Sequence, residues 1–423
     1  MKKKGFVISW YFPPINSSEG TCTFKLLKNS KYEYDVFTQK NNKNWSYDTN
    51  EDKMTSNNIH TIFSNAQTIE DWVKEGIEYG IQNIDKYDFM MSRSMAPESH
   101  EIALAIKRQH KDIPWIASFG DPIADNPYLK LIEQKSPYRV RGTGIIEKNS
   151  FFYVISPKRI LKHLFWTYRD EKYKRKHTRL YKDVKLQEEV FKNCDRIIFN
   201  NKYQMDYMLE KYPDSIKEKA LLLPHGYDVD FYPKKEKRKN DKFVMSYLGH
   251  LDETRTPKNF FEALSRIKEK KEDLYKTLEF DIYGNMSDKD KAFLVDNDLC
   301  DVVKFKKPIK YFETLKIMQE SNLLILVDAN LGKVIPKNIF YAAKLADYIG
   351  SGSNIFAITM LDGPSADIVK EVGGVISSHS VDDIYNNLVM ILEGKIDITN
   401  NGNENYDMRV IAKKFDDEVN KLK

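Results

Sequence analysis

Residues 344–358 read KLADYIGSGSNIFAI, and this stretch decides the fold class. Its first half carries Lys344 and Asp347 one helical turn apart, so both side chains lie on one face of a helix. A Gly-Ser-Gly sequence then ends the helix, and Asn354–Ile358 follows with the composition of a buried strand. A helix that leads directly into a buried strand is the unit from which parallel α/β sheets are built.

The same unit recurs on both sides of this stretch. Short apolar runs alternate with helical patterns along the first half of the chain, and the rhythm restarts after residue 242. The restart predicts two doubly wound parallel sheets in succession. The predicted strands are Phe6–Trp10, Tyr34–Thr38, His60–Phe63, Tyr87–Met91, Trp115–Phe119, Arg196–Asn200 and Ala220–Leu223, then Phe243–Leu248, Leu278–Tyr283, Val302–Phe305, Leu323–Val327 and Asn354–Ile358.

The length of the chain agrees with two domains, because 423 residues exceed what one core usually serves. Between the two sets of strands lies Pro233–Asp241, which is charged and contains no apolar residue, as is typical of a linker. We therefore expect an N-terminal Rossmann-like domain over 1–235 and a C-terminal one over 236–405. A last helical segment, over 406–423, follows a polar crossing loop.

Composition excludes several classes of protein. Hydrophobic residues make up 41% of the chain and charged residues 30%, which is typical of a folded globular protein rather than a disordered one. No apolar run approaches the roughly 18 residues needed to span a bilayer, and the run after the N-terminal lysines is too short for a signal peptide. We expect a cytoplasmic protein. Cys22, Cys194 and Cys300 are isolated, so neither a disulfide framework nor a cysteine metal site is indicated.

Basic charge is concentrated in residues 158–182, where ten Lys or Arg oppose two acidic residues in a chain of net charge +5. On a helix from 157 to 171, the residues Leu161, Leu164, Phe165 and Tyr168 form one apolar stripe flanked by cations. This pattern favours docking on an anionic membrane surface, at the inner face of the cell membrane. The alternative is a helix that packs on the N-terminal domain. A nucleic-acid patch is a third interpretation, but no nucleic-acid-binding fold accompanies it, and we expect no nucleic-acid partner.

Two loops at strand ends could meet a ligand. The first strand runs into residues 13–21, where small residues with Glu19 and Gly20 would let backbone amides approach a ligand; a plain βα turn is the alternative. In the second half, Gly249 ends a strand, and Arg255 and Lys258 precede a helix. Cations at a helix N-terminus repel its dipole, and a shared diphosphate would remove that conflict. Solvated loop charge is the alternative.

Lys344 and Asp347 add the two groups that a nucleoside diphosphate needs, a cation for the phosphates and a carboxylate for the ribose hydroxyls. An ordinary surface ion pair is the alternative interpretation of this spacing.

Taken in order and spacing, Val7–Pro14 with its Ser/Gly loop, the PHGYD sequence at 224–228, Gly249 to Arg255 and Lys344–Ile358 resemble the family-4 retaining glycosyltransferases of the GT-B fold. The similarity extends over essentially the whole chain and is weakest over 128–188. It implies two Rossmann-like domains that face each other across a cleft. The C-terminal domain would hold the nucleotide-sugar and the N-terminal domain the acceptor, and the closing helix would cross back onto the N-terminal domain.

The resemblance also assigns residues. Asp347 matches the second glutamate of the family's E-x7-E motif and would hold the ribose, whereas Ile339 stands in place of the first glutamate. Arg255 and Lys344 resemble the phosphate-binding cations. The donor-binding set is therefore Glu19, Gly20, Gly249, Arg255, Lys258, Lys344 and Asp347.

The predicted catalytic set is Asp121, Arg255 and Lys344. The family commonly places a histidine near the donor sugar, and the corresponding sequence SFGDP at 118–122 is similar to a subgroup with Asp-Pro there. Asp121 would face the anomeric centre; the alternative is an Asp that caps the following turn. Asp228 and Asp230 form an Asp-x-Asp sequence, but it lies at a turn, and we reject a metal role.

The resulting prediction is a metal-independent, retaining hexosyltransferase with no cofactor. It would move a sugar from a nucleotide-sugar, with UDP favoured because the family uses it most, to a glycan or lipid-linked acceptor in bacterial surface polysaccharide or glycoconjugate synthesis. The departing phosphate itself would accept the acceptor proton. A nucleotide-sugar epimerase on the same fold is one alternative. A non-catalytic homologue that acts as a partner subunit is another, suggested by Ile339 and the missing histidine.

Overall fold

The computed structural model describes residues 2–15, 17–40, 54–135, 179–234, 241–252 and 254–422. Within these residues the chain forms two parallel sheets, one after the other, which confirms the predicted fold class. The strands are β1 (Lys4–Ile8), β2 (Glu33–Gln39), β3 (Ile59–Ser64), β4 (Phe89–Arg93), β5 (Trp115–Phe119), β6 (Arg196–Phe199), β7 (Ala220–Leu222), β8 (Phe243–Leu248), β9 (Leu278–Tyr283), β10 (Val303–Lys306), β11 (Leu323–Val327), β12 (Asn354–Ile358) and β13 (Val375–Ser377).

Both sheets are doubly wound. The strand order is β3-β2-β1-β4-β5-β6-β7 in the first sheet and β10-β9-β8-β11-β12-β13 in the second. Every strand pair is parallel, as in Tyr34 opposite Gly5 and Leu323 opposite Asn354. All twelve predicted strands are present, with ends shifted by at most two residues, and β13 was not predicted.

Helices connect the strands and cover both faces of each sheet. They are α1 (Ser18–Asn29), α2 (Ile69–Asn83), α3 (Glu98–Gln109), α4 (Pro127–Lys135), α5 (Arg179–Asn193), α6 (Lys202–Leu209), α7 (Asp214–Lys217), α8 (Lys258–Lys270), α9 (Glu272–Lys276), α10 (Asp288–Asp296), α11 (Tyr311–Glu320), α12 (Ala343–Ser351), α13 (Pro364–Glu371), α14 (Val381–Leu392) and α15 (Met408–Lys421). Because both faces are covered, a central strand can be apolar at every position; β11 reads LLILV and is buried throughout.

The last helix belongs to the core of the first domain. Met408, Ile411, Phe415 and Val419 of α15 are buried in the same cluster as Val7 of β1. The chain reaches this position by crossing itself at Tyr227, whose amide donates to Tyr406 and whose carbonyl accepts from the Met408 amide, both at 2.9 Å. Two chain segments therefore connect the domains at one place.

The predicted linker, the predicted amphipathic helix and the proposed membrane-docking segment all include residues outside the described ranges. The linker residues 235–240 are among them. So are residues 136–178, which include the predicted basic amphipathic helix and most of the proposed membrane-docking segment. Among the described residues, no helix is both long enough and apolar enough to cross a bilayer.

Candidate functional site

The C-terminal end of β8 brings Gly249 and Lys344 together. The Lys344 Nζ donates to the Leu248 carbonyl at 2.7 Å and to the Tyr247 hydroxyl at 3.1 Å. Gly249 has a φ of +127°, and a Cβ on it would lie 2.6 Å from that Nζ. Glycine is therefore required where the lysine crosses the strand end.

Arg255 lies in the loop that follows the same strand. Its guanidinium lies 5.5 Å from the ring centre of Tyr128, which belongs to α4 of the other domain. The Tyr128 hydroxyl donates to Asp252 at 3.0 Å, so this loop is held against the N-terminal domain. The two domains are therefore in contact across the cleft next to Arg255.

The two cations affect each other. The pKa of Lys344 is lowered to about 7, chiefly by burial and then by the charge of Arg255, with Asp328 acting in the opposite direction. Neither cation forms an ion pair with a carboxylate of the described residues; Lys344 contacts a carbonyl and a hydroxyl, and Arg255 an aromatic ring. Two neighbouring cations without an anion form a site that a phosphate group would stabilise.

The first turn of α12 carries one of the two cations. The residue before the helix is Ala342, which supplies no side-chain acceptor for the first turn. Lys344 is the second residue of the helix. The site therefore combines an uncapped helix N-terminus with two cations, an arrangement suited to an anion.

Asp347 does not contact Lys344 and lies in the contact between the domains. Its carboxylate accepts from Lys25 of α1 at 2.9 Å and from the Tyr311 hydroxyl at 3.1 Å. Asp347 is 6% exposed and Lys25 is 1% exposed. The alternative of a surface ion pair between Lys344 and Asp347 is wrong, because each side chain has other partners. Asp347 therefore lies within a packed contact between the domains.

Two residues of the predicted donor set have other roles in this structure. The Lys258 Nζ lies 3.5 Å from Glu262 on the exposed surface of α8. The Gly20 amide donates to Ser17 at 3.0 Å, so it caps α1 instead of being free for a ligand. A Cβ on Gly20 would lie 3.1 Å from the backbone of Tyr11 and Phe12, so its small size serves helix packing.

In the N-terminal domain, Glu19 and Asp121 lie near each other at the ends of α1 and β5. Arg93 of β4 donates to Glu19 from Nε at 2.8 Å. Burial, and after it the negative charge of Glu19, raise the pKa of Asp121 to about 6, while the charge of Arg255 acts in the opposite direction. None of the described residues donates a hydrogen bond to the Asp121 carboxylate, so the alternative of a turn cap has no support. Arg93 was not predicted.

His225 belongs to the PHGYD sequence and is electrically neutral. Its pKa is lowered to about 3 by burial, with Arg93 and Lys25 acting in the same direction. Its Nε2 lies 3.2 Å from the Asn200 amide nitrogen. A neutral ring in this position cannot serve as a proton donor of imidazolium type near neutral pH.

Ile339, which stands where the resembled family has its first glutamate, and the Asp228–Asp230 pair both make contacts within the protein. Ile339 is 3% exposed, and its carbonyl accepts from the Asn201 side chain at 3.0 Å. Lys28 donates to both Asp228, at 2.8 Å, and Asp230, at 2.9 Å. The described residues contain no cluster of three His, Cys, Asp or Glu side chains that could hold a metal ion.

No known family model matches the chain, and no curated protein matches its sequence. Solved structures match over almost its whole length. Sucrose-phosphate synthase from Thermosynechococcus elongatus superposes with a TM-score of 0.61 at 14% identity, covering 100% of this chain and 95% of that one. The lipopolysaccharide outer core galactosyltransferase WaaB gives a TM-score of 0.56 at 10% identity, covering 99% and 95%.

A third match belongs to a different class of enzyme. The UDP-GlcNAc 2-epimerase from Neisseria meningitidis, solved bound to UDP-GlcNAc, gives a TM-score of 0.53 at 10% identity, covering 99% of this chain and 100% of that one. At such identities the likeness shows the fold. The chain therefore has the GT-B architecture, which solved glycosyltransferases and epimerases share.

Proposed function

We propose that this GT-B protein is a nucleotide-sugar-dependent glycosyltransferase whose donor diphosphate lies between Arg255, Lys344 and the first turn of α12. The observation that carries the proposal is a pair of cations that form no ion pair with a carboxylate of the described residues, beside a helix start without a side-chain cap. An anionic ligand would offset the burial and the repulsion from Arg255 that together lower the pKa of Lys344. The UDP-GlcNAc bound to the epimerase of the same fold supports this class of ligand.

In the proposed reaction, the protein stabilises the charge that develops on the leaving diphosphate. Arg255, Lys344 and the α12 amides provide fixed positive charge and donors at that position, so no metal is required. Asp347 would accept from the ribose hydroxyls and would have to share its carboxylate with Lys25. Asp121 would face the anomeric centre. Contacts between the domains, such as Tyr128 with Asp252, would keep water out.

The proposed substrates follow the family that the sequence resembles. The donor would be a UDP-linked hexose, transferred with retention of configuration. The acceptor would be a glycan or a lipid-linked glycan of a bacterial surface polysaccharide or glycoconjugate, reached at the cytoplasmic membrane face through residues 158–182. The departing phosphate would accept the proton of the acceptor hydroxyl, which is consistent with the absence of a strong nucleophile in the proposed site.

An epimerase is the second candidate, and one observation favours it. Glu19 and Asp121 place two carboxylates in the cleft, and the pKa of Asp121, about 6, suits acid–base catalysis near neutral pH. Epimerisation moves protons on one sugar and needs no acceptor. Transfer and epimerisation therefore differ in their requirement for a second substrate.

A two-step experiment separates these functions. A thermal-shift panel of nucleotide-sugars identifies the donor, because a ligand at 100 times its dissociation constant stabilises by about 2.7 kcal/mol. The stabilising donor is then incubated with and without glycan and lipid-linked acceptors. Release of free nucleotide that depends on an acceptor supports transfer, whereas a change of sugar without an acceptor supports epimerisation. Stabilisation without either reaction would indicate a non-catalytic homologue, and no stabilisation by any donor would overturn the proposal.

A further inference from the structure

Arg93 holds Glu19 at a fixed position beside the proposed reaction centre. Its Nε and Nη2 lie 2.8 Å and 2.7 Å from the same Glu19 oxygen, Oε1, and its Nη1 donates to the Ser118 hydroxyl at 2.6 Å. The Arg93 side chain is 8% exposed and the Glu19 side chain 12%. A buried guanidinium held on two sides fixes the carboxylate more firmly than a surface ion pair would.

The other Glu19 oxygen, Oε2, lies over the turn that carries Asp121. A Cβ on Gly120 would lie only 2.9 Å from that oxygen. The same turn is fixed from two other sides, since the Gly120 amide donates to Ser94 at 3.0 Å and its carbonyl accepts from Asn200 at 2.8 Å. The backbone before Asp121 therefore has little freedom, and a negative charge lies beside it.

Three charged groups act on the Asp121 carboxylate. Glu19 of α1 repels its negative form, Arg255 in the loop after β8 attracts it, and Arg93 of β4 acts indirectly by holding and partly neutralising Glu19. Asp121 itself accepts no hydrogen bond from the described residues. It is a half-buried acid that is repelled by a carboxylate of its own domain and attracted by a guanidinium of the other domain.

We propose that Arg93 and Glu19 are positioning residues for Asp121, which fix the Gly120–Asp121 turn and control the protonation of its carboxylate. The proposal rests on the proposed function only in placing Asp121 at the reacting sugar. The ionised carboxylate accepts a hydrogen bond from a sugar hydroxyl, and the protonated form loses that capacity at one oxygen. Turnover then falls as the pH decreases through the titration of Asp121.

The two positioning residues change this titration in opposite directions. Glu19→Gln removes the like charge, so the pKa of Asp121 decreases and the acidic limb of activity moves to lower pH. Arg93→Gln leaves the Glu19 charge without its partner, so the pKa of Asp121 increases and the limb moves to higher pH. A purely structural role would lower activity in both variants without opposite shifts.

The titration can be measured on the full chain without a donor. Carbodiimide activates protonated carboxyls, and glycine ethyl ester then labels them, so peptide mass spectrometry at pH 5 to 8 follows the protonated fraction of Asp121. Asp125, exposed and on the same tryptic peptide, is the internal control. Glu189→Gln, which removes the acid of another Arg–Glu pair, with Arg108, is the matched variant and leaves the Asp121 titration unchanged.

We expect wild-type labelling of Asp121 to be half-maximal near pH 6, which is the pKa given by its surroundings. It should shift downward in Glu19→Gln and upward in Arg93→Gln. An unchanged titration in Glu19→Gln, or shifts of the same sign in both variants, would overturn the proposal. UDP-glucose, tested in parallel for nucleotide release, reports on the proposed function separately, because labelling requires no turnover.

Discussion

At the scale of single residues, Lys344 has the most unusual environment of the proposed donor site. Its ammonium is held by a carbonyl and a hydroxyl, beside a second cation and without a carboxylate of the described residues. Because its pKa is about 7, Lys344 is neutral in a large fraction of the molecules above neutral pH when no ligand is bound. A diphosphate placed next to it would favour the charged form, so binding and protonation are linked.

This linkage predicts that UDP binds with uptake of a proton above pH 7. The affinity should decrease as the pH rises from 7 to 9, approaching tenfold per pH unit, because each binding event must protonate Lys344. Titration calorimetry in buffers of different ionisation enthalpy measures the proton uptake, in a range above the titration of the UDP phosphate. Lys344→Met should lose both the affinity and the uptake, and Lys258→Met, which removes a lysine paired with Glu262, should keep both. An affinity independent of pH in the wild type contradicts the assignment.

A second prediction concerns metal ions. Lys28 contacts both carboxylates of the Asp228 and Asp230 pair, and in the proposed donor site Arg255 and Lys344 would neutralise the diphosphate in place of a metal. Turnover with the identified donor should therefore be equal in a chelator and in added magnesium or manganese. The measurement is the initial rate after extensive dialysis against the chelator. Loss of activity that manganese or magnesium restores would show that a metal is needed.

Some site residues could not be identified from the sequence. Gly249, Arg255 and Lys344 follow local signals, namely a strand end, a helix start and a glycine. Arg93 and Lys25 have no such signal, because their partners are distant in the chain: Lys25 and Asp347 are 322 positions apart. Lys25 lies in a helix whose residues Gly20–Leu27 are all buried, and a lysine inside such a run is the one hint that the sequence contains.

At the scale of elements, α1 and α12 form the contact that joins the domains beside the proposed site. Lys25 and Asp347 are a buried ion pair, and the Tyr232 hydroxyl also donates to the Asp347 carbonyl at 2.8 Å. The attraction in a buried pair offsets the cost of removing both charges from water, so removing one partner leaves an uncompensated charge. The contact therefore depends on both residues together.

A double-mutant cycle tests this contact. Lys25→Met and Asp347→Leu should each reduce the free energy of unfolding by about 3–5 kcal/mol, and the double variant should recover most of that loss. Urea denaturation followed by fluorescence and by circular dichroism measures the three variants. If the loss of unfolding free energy in the double variant equals the sum of the losses in the two single variants, the pair does not stabilise the interface. The result also bears on the donor, since a loss of UDP binding in Asp347→Leu alone could reflect the broken contact.

The elements themselves were largely predictable because each strand is an apolar run between polar turns. The exceptions have physical reasons. β1 begins at Lys4, opposite Glu33, two residues before the predicted start. Trp10, predicted as strand, is buried by edge-to-face packing on Trp72, 5.0 Å away, and not by strand pairing. β13 has only three residues, too few to show a periodicity.

At the scale of the whole molecule, the concentration of basic charge in one segment predicts that the protein binds an anionic membrane surface. Residues 158–182 carry a local charge of +8, and each cation near an anionic membrane contributes about 1 kcal/mol. We expect binding to phosphatidylglycerol vesicles that weakens with salt and drops when Lys172, Lys174, Arg175 and Lys176 are changed to Glu. Co-sedimentation measures it, with phosphatidylcholine vesicles as the control. Equal recovery with both lipids, or none with either, would favour a segment in water and an acceptor that is not lipid-linked.

The return of α15 to the first domain affects how the protein is made on the ribosome. The side chains that complete the N-terminal core, Met408 to Val419, are synthesised after the whole second sheet. Domains often fold in the order of their synthesis. Here the first half must remain with one face of its core uncovered while the second half emerges and folds. The nascent N-terminal domain therefore exposes an apolar surface while the second domain is synthesised, and it becomes complete only when the helix that ends at residue 421 leaves the exit tunnel.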